Sequence, residues 1–409
     1  MQKRKDSKGR VLKDGESHRK SDGLYMYRWT SPDKKRHTIY DASLEGLREK
    51  ENKILHDLSD GIRVGENNVT INDVYKMWRA DKKGLKTTTY ENYGYIYRHY
   101  IEETFGERKV QQIRKSDVRR LYNGFIDTGK VAINTLENIH IVLHQVFKLA
   151  VEDEYIRTNP TDDVLGEVKR AHNYQVPKRH ALTIPQQNAF LQFIKNTPEY
   201  NHWLPLFIFF LGTGCRVSEV VGIRWEDIHV DEGYVEINHN LVYHSHEAGG
   251  CYFSISTPKT PAGFRIIPLL PDVKQALEME KAHQKELGMS CKSRIDGYTD
   301  FVFLNRFGLP NNPQAINRTI KRISMACNEA ELDNADKEHR EPELLPPFSC
   351  HNLRHTFATR YCENETNLKV IQEILGHKDI ATTMDVYAEA TKDAKVKSFE
   401  GLTTKMKLL

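Results

Sequence analysis

The sequence predicts a multidomain protein, mainly α-helical with small β-sheets. Three features point there. At 409 residues the chain exceeds what one hydrophobic core usually organises, which favours two or three domains. A β-alternating tract near the N-terminus gives way to about ninety residues of helical periodicity. A basic, polar stretch then breaks that periodicity, and mixed helix and strand patterns follow. The expected division is a β-rich unit with one helix over 1–65, a helical bundle over 69–165, a linker over 166–183 and a mixed α+β domain over 184–409.

In the first unit "GLYMYRWTS" alternates, placing Tyr25, Tyr27 and Trp29 on one face of a strand. "SPDKK" reads as a turn and "RHTIYD" as the returning strand. The following helix starts at Ser43, a favourable N-cap, and sets Leu44, Leu47, Ile54 and Leu58 on one side. A small sheet needs such a helix to bury one face. The other face stays free, with Arg28 on it and Lys35, Arg36 and His37 nearby. Residues 1–20 carry a net charge of +5. Cations on a small sheet suit either a DNA groove or plain solvation, and both readings stand at this point.

The second unit opens with a helix starting at Thr70 or Asn72, with Val74, Met77 and Trp78 along one side. The next carries Tyr90, Tyr93, Tyr97 and Ile101 at helical spacing, which reads as core. Thr87, Thr88 and Thr89 sit at its N-terminus, where hydroxyls and free N–H groups suit a phosphate or serve as ordinary caps. Two further helices complete a bundle.

Several classes are disfavoured. The longest apolar run, from Trp203 to Leu211, is far too short to cross a bilayer and reads as a buried helix. No apolar stretch follows the basic N-terminus, so no signal peptide is expected. Six scattered cysteines without a C-x-x-C pair suggest reduced thiols and a cytoplasmic protein. His351 and His355 share the i, i+4 spacing of a zinc helix, but the metalloprotease pattern needs Glu where the chain has Asn352. Three histidines near Cys251 also lack a usual ligand spacing. No metal is expected. The highly charged stretch from Cys327 to Phe348 is expected to be an exposed loop.

The mixed domain holds a series of basic groups. "LGTGCRVSE" places Arg216 after a Gly-x-Gly turn at a helix start, with Glu219 one turn on, placed either to pair with it or to hold a neighbouring helix. "STPKTPAGFRIIPL" reads as a β-hairpin with Lys259 near its tip. "HNLRHTFAT" puts His351 and Arg354 on one helix face. "LGHKDIATTMDVY" puts His377 after a glycine and Tyr387 ten residues later. Each alone reads as structural or solvated.

In this order they are a different matter. The sequence resembles the tyrosine recombinase (phage integrase) family, on "TGCRVSE" with "RWEDI", "PKT…RIIPL", "HNLRHTFAT" and "LGHKDIATTMDVY". The resemblance is strong over about residues 180–390. The bundle looks like the family's core-binding domain, and the basic N-terminal unit looks like the arm-binding domain of conjugative-transposon integrases. One departure is Ala388-Glu389, where many relatives have Thr-His after the tyrosine.

The resemblance implies that Arg216, Lys259, His351, Arg354, His377 and Tyr387 are catalytic. Two guanidiniums suit the charge that grows on the non-bridging oxygens of a phosphodiester under attack. Lys259 is the expected acid for the leaving 5′ oxygen, His351 the acid/base for the tyrosine, and His377 a donor to phosphate. Tyr387 forms a 3′-phosphotyrosyl bond, so no cofactor is needed. The implied partners are double-stranded DNA at core and arm sites, a homotetramer on two duplexes, and an accessory directionality factor. Localisation would be cytoplasmic and nucleoid-associated. Arg28, Lys35, Arg36, Thr87, Thr88 and Thr89 are the expected DNA contacts. The alternatives are a type IB topoisomerase-like relaxing enzyme and an inactive DNA-binding regulator.

Overall fold

The computed structural model describes residues 4–31, 34–62, 68–82, 84–129, 131–175, 180–245, 250–258 and 261–390. The chain folds as two units, 1–176 and 177–409. Among the described residues, no helix is long and apolar enough to cross a membrane.

The first unit begins with an antiparallel sheet of β1 (Glu16–His18), β2 (Tyr25–Thr30) and β3 (Arg36–Asp41) in that order. Helix α1 (Leu44–Ser59) covers it, started by Ser43, whose Oγ accepts from the Gly46 N–H at 3.0 Å. Tyr25, Tyr27, Leu44, Leu47 and Ile54 form the core, with Trp29 and Leu58 at its edge. Arg28, Lys35 and Arg36 are exposed, and Arg28 pairs across the sheet with Thr38.

The bundle has its own core. It comprises α2 (Ile71–Asp81), α3 (Thr87–Tyr97), α4 (Lys115–Asp127), α5 (Ile133–Glu152) and α6 (Val164–Ala171). Thr70 starts α2 with a reciprocal cap: its Oγ1 accepts from the Asp73 N–H and its own N–H donates to the Asp73 carboxylate. The tyrosine stripe is core at Tyr97 and Ile101, as its spacing requires. Thr87–Thr89 form the first turn of α3, whose N-cap is Lys86 rather than a threonine.

Helix α6 corrects the linker expectation at its start. Val164 and Val168, one turn apart, are buried in the bundle core, while Lys169 and Arg170 end the helix. The polar character of "GEVKRAH" is the solvated side of a short amphipathic helix. Val168→Asp will put a charge into that core and lower stability by about 3 kcal/mol or more. Urea unfolding of the full chain measures this; an unchanged midpoint is what a free linker would give.

The second unit opens with α7 (Ile184–Asn196), α8 (Leu204–Thr213) and α9 (Val217–Val220). Helix α8 is apolar on all sides and is buried accordingly, with Phe207, Phe209 and Phe210 fully covered. Five strands follow: β4 (Ile228–His229), β5 (Tyr234–Ile237), β6 (Asn240–Ser245), β7 (Cys251–Ser256) and β8 (Arg265–Pro268). The expected hairpin around Lys259 does not form. Strand β7 pairs with β6, and β8 crosses back to β5 in a sheet ordered β4-β5-β8. Side chains decide the pairing. The β6–β7 pair sets Tyr243 beside Phe253, with ring centroids 4.9 Å apart and the rings tilted by 54°, while Ile267 of β8 joins Val235 and Ile237 in the core.

The helices α10 (Pro271–Glu286), α11 (Pro313–Glu338), α12 (Cys350–Asn364), α13 (Leu368–Leu375) and α14 (Ile380–Ala390) complete the unit. Helix α11 overturns the loop expectation for 327–338. Ile316, Ile320, Ile323, Cys327 and Ala335 hold one buried face, and the charges occupy the other. The helix stops where His339 turns left-handed, at φ 54°. Only the stretch from there to Ser349, the N-cap of α12, is irregular.

Candidate active site

Two helix ends build the site. Helices α8 and α13 each stop at a glycine in the left-handed region, Gly214 and Gly376, both at φ 63°. Neither position admits a side chain. A Cβ on Gly214 would lie 2.2 Å from the Phe357 ring, and one on Gly376 would lie 3.0 Å from Arg265. The carbonyls at these ends lack partners within their helices and carry partial negative charge. Arginines take them. Arg354 donates to Gly214 O and to Leu375 O, both at 2.6 Å. Arg216 donates to Gly376 O at 2.8 Å, and Arg265 to Ile374 O at 2.8 Å.

One carboxylate organises the cations. Glu219 is 3% exposed and accepts from Arg216 Nη1 at 2.8 Å and from Arg265 at 2.7 and 3.1 Å. It also accepts from the Arg216 backbone N–H at 2.8 Å, which fixes Arg216 as the residue that starts α9. Burial alone would raise its pKa. The hydrogen bond and charge of Arg265, with Arg216 and Arg354, override that and hold the carboxyl at about 2. Arg354, 5% exposed, is lowered to about 10 by burial and by the Arg216 charge, so it stays protonated at neutral pH. That depression corresponds to an unfavourable environment on the order of 3 kcal/mol for the cation. Three guanidiniums thus meet one carboxylate among the described residues, and the pocket carries excess positive charge.

His377 follows Gly376. Burial, then Arg354, Arg216, Arg265 and His351 in that order, lower its pKa to about 4, so it is neutral at pH 7. Its Nδ1 lies 3.0 Å from Thr383 Oγ1 on α14. His351 is exposed on the first turn of α12, three residues before Arg354. Tyr387 is half-buried on α14, packed with Val386 on a cluster of Ala358, Cys362, Ile371 and Leu375. Arg216, Arg354 and His377 therefore share one pocket, His351 lies close enough to His377 to bear on its protonation, and Tyr387 stands on the neighbouring helix. Lys259 lies outside the described residues.

The expected pairing of Arg216 with Glu219 is present. Arg265 and Thr383 were not expected in the site. The available sign of Arg265 was a cation set among the apolar residues of "FRIIPL"; that of Thr383 was its place one helical turn before Tyr387.

Clustered guanidiniums at helix ends, beside a histidine and a tyrosine-bearing helix, form a pocket suited to an anion. A family model described as the phage integrase family matches residues 180–394, and the chain belongs to that family. Residues 1–58 match a model described as the DNA binding domain of Tn916 integrase, and 70–126 one described as a phage integrase N-terminal SAM-like domain. The transposase from transposon Tn1545 of Streptococcus agalactiae is 31% identical over 98% of this chain and 97% of its own. The transposase from transposon Tn916 of Enterococcus faecalis matches with the same identity and coverage. A structure of the Tn1549 transposon integrase in complex with transposon right end DNA superposes with a TM-score of 0.70. It is 26% identical and covers 82% of this chain and 100% of that one. The enzyme is a site-specific tyrosine recombinase that resembles the integrases of conjugative transposons.

The His377 environment sets a pH dependence. Above about pH 7 the ring is neutral in both folded and unfolded chains. Between the ordinary value of 6.5 and about 4, the unfolded chain binds a proton that the folded pocket refuses, so stability falls as pH is lowered. Glu219 keeps its charge through this window. Urea midpoints will decline from pH 7 towards pH 4.5, and His377→Gln will decline less steeply.

Proposed function

We propose that this recombinase integrates and excises a mobile element, cleaving DNA through Tyr387. The observation that carries the reading is the excess of guanidinium over carboxylate at the two helix ends. A buried cation without a full counter-charge is costly, and a phosphodiester is the anion that repays it. Tyr387 Oη attacks the scissile phosphorus, the bond to the 5′ oxygen breaks, and a 3′-phosphotyrosyl bond replaces it. The freed 5′ hydroxyl of the partner strand then attacks that bond and restores the tyrosine. The number of phosphoester bonds is conserved, so no cofactor is consumed.

Arg216 and Arg354 offer their remaining N–H groups to the non-bridging oxygens, where charge grows in the transition state. His377 donates to a phosphate oxygen. His351 accepts the tyrosine proton, and its exposure on the first turn of α12 leaves it open to substrate. Lys259 is assigned the proton for the 5′ oxygen on the strength of its motif.

DNA is held by more than the catalytic unit. Exposed Arg28, Lys35 and Arg36 on the N-terminal sheet suit a groove at an arm site, and Thr87, Thr88 and Thr89 suit a backbone phosphate at the core site. In this reading residues 1–65 form the arm-binding domain, the bundle from 69 the core-binding domain, and 184–409 the catalytic domain. The assembly is a homotetramer on two duplexes, with an accessory factor setting direction, in the host cytoplasm and on its nucleoid. The amphipathic segment with Val396, Phe399, Leu402 and Leu409, outside the described residues, is the proposed link between protomers. The relaxing-enzyme and inactive-regulator readings have no observation in their favour.

Three experiments test this. On a nicked suicide substrate, Tyr387→Phe will bind DNA with unchanged affinity and form no covalent adduct; an adduct with that variant would mean another nucleophile. Arg216→Lys keeps the charge and loses the fork, so cleavage will fall roughly 100-fold or more while binding changes little. Separately, deleting residues 1–65 will abolish binding to a distal DNA site and leave cleavage of a short core site intact. Loss of core cleavage in that deletion would make the domain division wrong.

A further inference from the structure

Helix α14 reaches the phosphate pocket through one hydroxyl. Thr383 is fully buried, one helical turn before Tyr387, with its Oγ1 3.0 Å from His377 Nδ1. The backbone of His377 is also fixed: its N–H donates to Gln372 O at 3.1 Å, and Gln372 Nε2 donates to its carbonyl at 3.1 Å. The imidazole is therefore anchored by its backbone and by one ring nitrogen, and only Nε2 is left to face a ligand.

A neutral imidazole carries one ring proton. The 3.0 Å contact allows two arrangements. In one, Nδ1–H donates to the Thr383 oxygen, and the hydroxyl hydrogen then needs another acceptor inside the fold. Among the described residues the Thr383 hydroxyl has no other partner. A buried donor left unmet is costly. In the other, the hydroxyl donates to Nδ1, both groups are satisfied, and the ring proton resides on Nε2. The second arrangement is the favoured one. It is also the one that makes neutral His377 a donor on the side away from α14. The ring is kept neutral by burial and by the neighbouring Arg354 and Arg216.

We propose that Thr383 is a positioning residue: its hydroxyl fixes the Nε2–H tautomer of His377 and ties that phosphate donor to the helix carrying Tyr387. This rests on the reading of His377 as a phosphate ligand. One contact then does two things. It selects the protonation form that can donate to a non-bridging oxygen. It also sets the distance between that donor and the nucleophile, since Thr383 and Tyr387 stand four positions apart on one helix. A hydroxyl suits the task because it can turn to donate; a carboxylate there would pull the proton to Nδ1 and an apolar side chain would leave the tautomer unselected.

The test uses the full-length protein with nitrogen-15 in its histidines. The His377 signals are assigned by their loss in His377→Ala. Wild type will show the Nε2–H tautomer at neutral pH, Thr383→Ser will keep it, and Thr383→Val, nearly the same shape without the hydroxyl, will show a mixture. On a nicked suicide substrate, adduct formation by Thr383→Val will slow by roughly tenfold, a part of the ~100-fold typical when a donor is removed outright. Its DNA affinity will be unchanged, and Thr383→Ser will cleave near the wild-type rate. A wild-type tautomer and rate in Thr383→Val overturns the proposal. So does a Thr383→Ser variant as slow as Thr383→Val, because packing of the methyl would then be the cause. His377→Ala separates the two levels of the argument. If it cleaves at the wild-type rate, the phosphate-ligand reading falls and this inference with it; if it is slow while Thr383→Val is not, this inference alone falls.

Discussion

The C-terminal end of α13 is the constraint on which the catalytic pocket depends. Its final carbonyls at Ile374, Leu375 and Gly376 each accept from a different arginine: Arg265, Arg354 and Arg216 respectively. These arginines come from a strand, a helix and a helix start that are far apart in the sequence. A helix end is well suited to gather them, because its unpaired carbonyls present several acceptors and a partial negative charge within one turn. The left-handed turn at Gly376 brings the last carbonyl round, and the closeness of Arg265 leaves no room there for a Cβ. Removing the glycine would therefore disturb the cations as well as the backbone.

Helix ends satisfy the arginines' hydrogen bonds without neutralising their charge. This division explains why the pocket is held together by the protein's own groups and still favours an anion. If each arginine had its own carboxylate, the pocket would be electrically satisfied and a phosphate would have to displace a partner. Among the described residues Glu219 is the exception; Arg265 gives it two guanidinium N–H groups, and Arg216 gives it one guanidinium N–H and its backbone N–H. Arg265 is nearly covered, with a side chain 4% exposed, whereas the Arg216 side chain is 39% exposed. The carboxylate thus locks the inner arginine and steadies the outer one, whose guanidinium still reaches solvent and substrate. Lysine fits neither role, since a point charge on a flexible stem does not bridge a carboxylate and a carbonyl at once.

What was legible in the sequence follows from what fixes each residue. Arg216, Arg354 and His377 stand out in the sequence through the motifs that carry the family resemblance, and the fold brings these three to one pocket. Caps at Ser43 and Thr70 were readable because they act over three residues. Arg265 was overlooked because its meaning lies in contacts with residues 46 and 109 positions away. Thr383 was overlooked because a buried threonine looks like any helix residue until the imidazole facing it is known. The β7 and β8 segments looked like one hairpin, but the aromatic pairing of β7 with β6 and the burial of Ile267 beside β5 outweighed their nearness in the chain. In α6 and in the far half of α11, high charge hid a narrow buried stripe: two valines in one, Cys327 and Ala335 in the other. Composition measures the whole segment, whereas folding needs only one side of it.

Tyr387, the proposed nucleophile, is held by packing where the arginines are held by hydrogen bonds. Arg354 is tied to the end of α8, which sits in the main core of the unit, and Arg216 to the end of α13, whose Ile371 and Leu375 belong to a smaller cluster. Helix α14 packs on that same smaller cluster, with Ala358 and Cys362, and it leaves Ile380 and Met384 exposed. The two demands of the reaction account for the asymmetry. The oxygens of the phosphate need fixed donors throughout, because preorganised donors are worth most when they do not move as charge develops. The tyrosine must approach the phosphorus, hold the cleaved strand, and then yield to an incoming 5′ hydroxyl. In the proposed reaction, guanidiniums held by helix-end carbonyls serve the first demand and a helix packed beside them carries the second, and the contact between Thr383 and His377 ties that helix to the cationic pocket.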